Sequence, residues 1–267
     1  MLFWSKEKNN IKMELSKIGR YPFLAEPFHC DFNGRLMMGH LGNHMLNAAD
    51  YHSHDRGFGM TYLNTIQRTW VLSRLVIEMA EMPRAYTKFN VETWVESALR
   101  FFTNRSFKVV DSDTGQVYGY GRSIWAMIDT VTRQPANLFE INDRAMLKYV
   151  EKDEPCPIEK CSRVRMETPG ERVASFTTHY SDIDVNGHVN SVKYIEHVLD
   201  LFPLDFYRQY RVGRFEIAYV AETHCGDTLH MYQEQEDMTF RIRMVKTDSE
   251  GQNEVEICRS LVKFVKE

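Results

Sequence analysis

Twice along this 267-residue chain, a segment with apolar residues three or four apart is followed by a run of β-like segments. The first helical segment is Leu36–Tyr51, where Met37, Leu41, Met45, Ala48 and Ala49 share a face. The second starts at Val189 and carries Val192, Ile195, Val198, Leu199 and Phe202 until Pro203 ends it. Such spacing gives a helix one buried stripe, which needs a partner surface. Each helix has a strand before it, at Phe28–Asp31 and Ala174–His179. Thr69–Glu78, Phe89–Val95, Ser106–Val110, Gln116–Tyr120 and Ser123–Asp129 follow the first, with a DSDTG turn between the third and fourth. Phe215–Val220, Thr228–Gln233, Phe240–Val245 and Val255–Val265 follow the second, with turns at Gly226-Asp227 and Asp248–Gly251. A helix and the antiparallel strands that cover it make one α+β unit, so two units in tandem are predicted. Between them, Asn142–Arg172 holds EKDEPCPIEK and ETPG, dense in charge and proline. This stretch reads as a linker, dividing the chain into 1–141, 142–172 and 173–267.

Composition narrows the class. A hydrophobic content of 43% supports a substantial core, and a net charge of −4 argues against a general nucleic-acid binder. No apolar run is long enough to span a bilayer. Met1–Trp4 is too short for a secretory signal, and 6–17 reads as an exposed lead-in, so a cytoplasmic location is expected. Five scattered cysteines fit reduced thiols better than a disulfide framework. Cys156 and Cys161 flank PIEK without a second pair and read as structural. His40, Asn43, His44, Asn47, His52 and His54 invite a metal site, but the interspersed glycines and the loop after His52 favour a packed or solvated helix. No metal is expected.

The chemistry concentrates in YSDIDVNGHVNSVKYIEHVL, Tyr180–Leu199. Asp184, Asn186 and His188 alternate, so an extended segment presents acid, amide and imidazole on one side. They enter a helix N-terminus, where free backbone N–H groups and the positive end of the dipole gather. Such a group can polarise a carbonyl or position a water. The plainer reading is a helix cap with a structural histidine.

DVNGHVNSVKYIEHVLD resembles the active-site segment of the acyl-acyl carrier protein (acyl-ACP) thioesterases. RTWVLSRLVIEMAEMP (Arg68–Pro83), VETWVES (Val91–Ser97), DTGQVYG (Asp113–Gly119) and SIWAMIDTVTRQP (Ser123–Pro135) resemble first-domain segments of that family in the same order. The resemblance implies two tandem hot-dog domains, each a long helix wrapped by a curved antiparallel sheet. It implies hydrolysis of the thioester joining a fatty acyl group to carrier protein. FEIAYVAE is similar to the family strand that ends in a carboxylate, which adds Glu222 to Asp184, Asn186 and His188. Plant members have cysteine directly after that glutamate; here Thr223 stands there and the nearest cysteine is Cys225, against a Cys–His nucleophile. The first unit echoes the motif at Gly39–Leu41 but has Leu36 and Met38 where the second has Asp184 and Asn186, so His40 is not expected to be catalytic.

The expected roles follow from thioester hydrolysis. Glu222, withdrawn from water behind an apolar strand, is the general base. His188 and Asn186 orient water and carbonyl, and amides near Val189–Ser191 hold the oxyanion. Asp184 fixes His188 or the loop, or exchanges roles with Glu222. Tyr194 reads as packing and Lys193 as surface. Met37, Met38, Met45, Trp70, Leu72 and Trp94 are candidates for the wall of the acyl tunnel, and Arg208, Arg211 and Arg214 for docking acidic carrier protein. The expected partners are acyl carrier protein and its fatty acyl group; the substrate brings its own phosphopantetheine, no cofactor is needed, and a homodimer is left open. The alternatives are an acyl-CoA thioesterase, a hot-dog dehydratase or hydratase, and a non-catalytic acyl binder.

Overall fold

The computed structural model describes residues 15–247 and 253–267. Most of the lead-in and the Asp248–Gly251 turn lie outside the described residues. The chain runs β1 (Gly19–Leu24), α1 (Met38–Asp55), α2 (Met60–Thr65), β2 (Arg68–Met79), β3 (Lys88–Ala98), β4 (Phe102–Asp111) and β5 (Val117–Asp129). The second half has β6 (Glu171–Thr177), α3 (Ser191–Leu199), α4 (Leu204–Tyr207), β7 (Tyr210–Tyr219), β8 (Thr228–Glu236), β9 (Thr239–Thr247) and β10 (Glu254–Lys266). Each half is a helix packed on antiparallel strands, the arrangement anticipated for a tandem hot-dog chain. The two sheets are continuous: all ten strands form one sheet in the order β1-β3-β4-β5-β2-β7-β10-β9-β8-β6. The seam is the antiparallel pairing of β2 with β7, from Arg74 opposite Ala218 to Glu78 opposite Arg214.

Local sequence explains most of these elements. In α1 the buried stripe includes Leu41, Met45, Ala48 and Ala49, and in α3 it is Val192, Tyr194, Ile195 and Val198. The stripes meet Leu75, Ile77, Phe215 and Ile217 of the seam strands in one core cluster that spans both halves. Gly39 and Gly42 let α3 approach α1 closely. A Cβ at Gly39 would lie 2.7 Å from the Glu196 side chain, and one at Gly42 would lie 3.3 Å from Val192 and Ile195. Helix–helix contact is therefore bought with helix propensity.

Several boundaries differ from the sequence reading. The second helix is not long: α3 has nine residues, because Val189 is held in a bridge to Ile183 and Phe202 lies past the C-cap Asp200. The expected strands Gln116–Tyr120 and Ser123–Asp129 merge into one, β5, which begins at Val117, since the backbone continues through Gly121 and Arg122. Phe28–Asp31 is not a strand; a 3-10 turn occupies Pro27–His29, and the edge strand is β1. Between β5 and β6, residues 150–170 are irregular and cross the sheet. Arg122 holds this segment by donating to the carbonyls of Cys156 (2.7 Å) and Ile158 (3.1 Å).

Candidate active site

The loop 183–190 is a compact turn built around Asp184. Ile183 and Val189 bridge at its base, the Asp184 N–H donates to His188 O at 2.8 Å, and Gly187 takes φ +80°, which favours glycine. Asp184 Oδ1 accepts the N–H of Asn186 (2.8 Å) and of His188 (3.4 Å). Its carboxylate is thus engaged in folding the loop. Asp182, buried, anchors the loop to α3 by accepting His197 Nε2 at 2.9 Å. Asn190 caps α3, its Oδ1 accepting the N–H of Val192. The amides of Val189 and Asn190 are already bonded, to Thr223 O and Asp182 O. Of the three anticipated oxyanion donors, helix geometry leaves Ser191, at the first helical position, without an intrahelical acceptor.

Glu222 follows β7 and reaches back to this loop. Its Oε2 lies 3.5 Å from His188 Nε2, while Arg133 from the turn after β5 donates to Oε1. The His224 ring stands edge-on to His188 at 5.0 Å. Glu222 is 42% exposed, so the desolvation expected of it is absent here. Sequence reasoning missed Arg133 and His224. Arg133 lies 89 positions from Glu222 and in the other half, where no local pattern marks it. His224, two residues after Glu222, was in reach of a search for imidazoles near the carboxylate.

The loop also walls a cavity of about 940 Å³. Asp184, Val185, Asn186, Ser191 and Cys225 line one part, and Leu46, Phe58, Trp70, Leu72 and Trp125 of the first half line another. Arg105 and Asp50 also reach it. Arg105 is 4% exposed and donates to Thr93 Oγ1 and Ser53 Oγ, each at 3.1 Å. Burial pushes its pKa down to about 9, which leaves it charged at neutral pH, and burial raises that of Asp50. Of the six tunnel candidates, Trp70 and Leu72 line this cavity. Met45 and Trp94 do not, being fully buried in packed core. Met37 and Met38 line a separate cavity of about 520 Å³ against Leu199, Phe202 and Tyr207.

The three arginines do not form a docking patch. Arg211 and Arg214 lie on β7 on either side of a bulge at Gly213, which turns both to the same face, but neither is free there. Arg211 donates to Met79 O at 2.9 Å, and Arg214 is buried between Glu78 (2.6 Å) and Glu216 (2.8 Å). Arg208 is exposed but pairs with Asp205. Tyr194 is packed, as its position in the α3 stripe requires.

Comparison with known proteins matches both halves to one family. Residues 22–143 fit the acyl-ACP thioesterase N-terminal domain and residues 167–261 the C-terminal domain. The crystal structure of an acyl-ACP thioesterase from Bacteroides thetaiotaomicron is 52% identical, with a TM-score of 0.86 over 93% of this chain and 98% of that one. The 12:0-ACP thioesterase from Umbellularia californica shares the fold, with a TM-score of 0.76 at 19% identity over 95% of this chain and 99% of that one. Among curated relatives, the chloroplastic palmitoyl-acyl carrier protein thioesterase of Gossypium hirsutum is 27% identical over 70% of this chain and 47% of its own length. The chain spans about half the length of the curated relatives it matches.

Proposed function

The chain belongs to the acyl-acyl carrier protein thioesterase family, and we propose that it hydrolyses the thioester of fatty acyl-ACP, releasing a free fatty acid. One observation carries this reading beyond membership. A single loop supplies His188 to the pair with Glu222, and Asp184 and Asn186 to the wall of the cavity. Water activation and acyl binding are therefore adjacent.

In the proposed mechanism the acyl chain lies along Trp70, Leu72 and Trp125, with its thioester at the loop. Glu222 Oε2 and His188 Nε2, 3.5 Å apart, converge so that one water placed beside the pair can bond to both. Glu222 takes the proton of this water, and His188 fixes its position. Arg133 holds the other carboxylate oxygen, so Oε2 is the edge free to act. Docked substrate covers the pair and supplies the desolvation missing from the free protein. Asn186 and the Ser191 amide face the developing oxyanion; a donor of this kind is worth about 3 kcal/mol. Asp184 shapes the loop instead of acting as base, since its Oδ1 accepts two amides of that loop.

Matched acyl-ACP and acyl-CoA substrates assayed in parallel should show faster thiol release from acyl-ACP. Equal or higher kcat/KM on acyl-CoA would replace carrier protein with coenzyme A, and saturable acyl binding without thiol release would remove the enzyme altogether.

A further inference from the structure

Between β1 and α1, side chains from two elements converge away from the Glu222–His188 pair. The 3-10 turn Pro27–His29 sets Glu26 and His29 three positions apart, with His29 Nδ1 3.1 Å from Glu26 Oε2. From α1, His44 brings Nε2 to 3.9 Å from the same oxygen. That is beyond hydrogen-bond reach, and this Nε2 is buried with no hydrogen-bond partner. Phe23 packs on the His44 ring at 4.5 Å and Phe89 meets it edge-on at 5.6 Å, so the ring is held where it is. His40, one turn earlier on α1, stacks on His29 at 4.0 Å.

A buried polar atom left without a partner destabilises the fold. The cost at His44 would be relieved by a ligand that accepts the imidazole lone pair beside a carboxylate. Two imidazoles and one carboxylate are a donor set for zinc-class ions, at bond lengths of about 2.0–2.2 Å. Donors on a shared tetrahedral ion then stand about 3.4 Å apart. The observed 3.1 and 3.9 Å straddle that spacing, and all three donor atoms lie within 4.8 Å of one another. Calcium and magnesium prefer oxygen cages and fit poorly. We propose that Glu26, His29 and His44 form a binding site for one borderline divalent cation of the zinc class, with an open coordination position. His40 is a positioning residue that holds the His29 ring. The ion ties the turn after β1 to α1 and stabilises the folded chain in proportion to its occupancy. Sequence reading weighed only the histidines of α1; Glu26 and His29 lie in the connection before it.

The test uses the full chain, stripped with chelator and dialysed. Titration calorimetry with zinc chloride should show one ion per chain at micromolar or tighter affinity, with a raised Tm. Magnesium and calcium chloride should show neither. His29→Gln and His44→Gln should each weaken zinc binding at least tenfold. His29 is 40% exposed, so its variant keeps the test informative if the largely buried His44 variant fails to fold. Absence of saturable zinc binding to the wild-type chain, or unchanged affinity in His29→Gln, would overturn the site.

Discussion

Glu222 sits between a cation and an imidazole, and its two oxygens have different neighbours. Arg133 engages Oε1, and Oε2 faces His188. Glu222→Gln keeps the shape and removes the basic oxygen, so kcat should fall on the order of 100-fold with little change in KM. A loss confined to KM in steady-state assays would make Glu222 a binding residue. Cys225, exposed in the cavity wall, is the one cysteine near enough to raise a covalent alternative. Cys225→Ala should leave kcat nearly unchanged; a folded, substrate-binding but inactive variant would restore the covalent route. A second residue-scale prediction concerns stability. His52 is fully buried, donates from Nε2 to Lys17 O at 2.9 Å, and neighbours Arg105 and Arg56. Burial first, then those cations, push its pKa down to about 2. Unfolded, a histidine takes up a proton near pH 6.5 that the folded chain refuses, so His52 costs stability increasingly as pH falls below that value. The slope is about 1.4 kcal/mol per pH unit. Urea midpoints at pH 7 and pH 5 should therefore differ less in His52→Gln than in wild type; equal differences would mean that His52 is protonated when folded.

At the level of elements, periodicity told which faces are buried but not what they are buried against. Trp94 and Trp70 are both tunnel candidates by sequence, yet Trp94 is fully buried away from the cavity and Trp70 lines it. That distinction depends on what covers each face of the sheet, which spacing along one strand does not carry. The loop before α3 was legible for the opposite reason: Asp184, Asn186 and His188 are polar where an apolar rhythm is about to begin, and their turn is made by neighbours in sequence. Glu222 was legible only through resemblance, and Arg133 not at all, because their contact is made by the fold. The length of α3 was misjudged since Val189 and Phe202 keep helical spacing without helical backbone. The difference between the two tryptophans can be measured. Leu72→Ala or Trp70→Ala should enlarge the cavity and shift preference toward longer chains, by roughly fourfold per accommodated methylene. Trp94→Ala should instead lower stability by about 3–5 kcal/mol and leave the chain-length profile where it was. A profile shifted by Trp94→Ala and not by the cavity variants would misplace the tunnel.

The whole molecule is one sheet and one main core, although its sequence reads as two units and a linker. α1 packs on α3 at Gly39 and Gly42, β2 pairs with β7, and Arg133 of the first half ion-pairs with Glu222 of the second. Neither half satisfies its own seam: parted, β2 and β7 would each expose a row of unpaired backbone groups. The chain should therefore unfold in a single transition. Arg214 offers the sharpest probe, because it is buried at the seam with Glu216 on its own strand and Glu78 on the other. Arg214→Ala strands the buried Glu216 carboxylate without its partner, at a cost of about 3 kcal/mol. All four tryptophans, Trp4, Trp70, Trp94 and Trp125, precede β6, so their fluorescence is emitted from the first half, with Trp70 and Trp125 also sensing the second-half loop across the cavity. If the halves are coupled through the seam, this substitution in the second half should lower the urea midpoint seen by tryptophan fluorescence as much as that seen by far-UV circular dichroism. Fluorescence that keeps the wild-type midpoint while circular dichroism splits into two steps would show that the halves fold independently and that the seam contributes little.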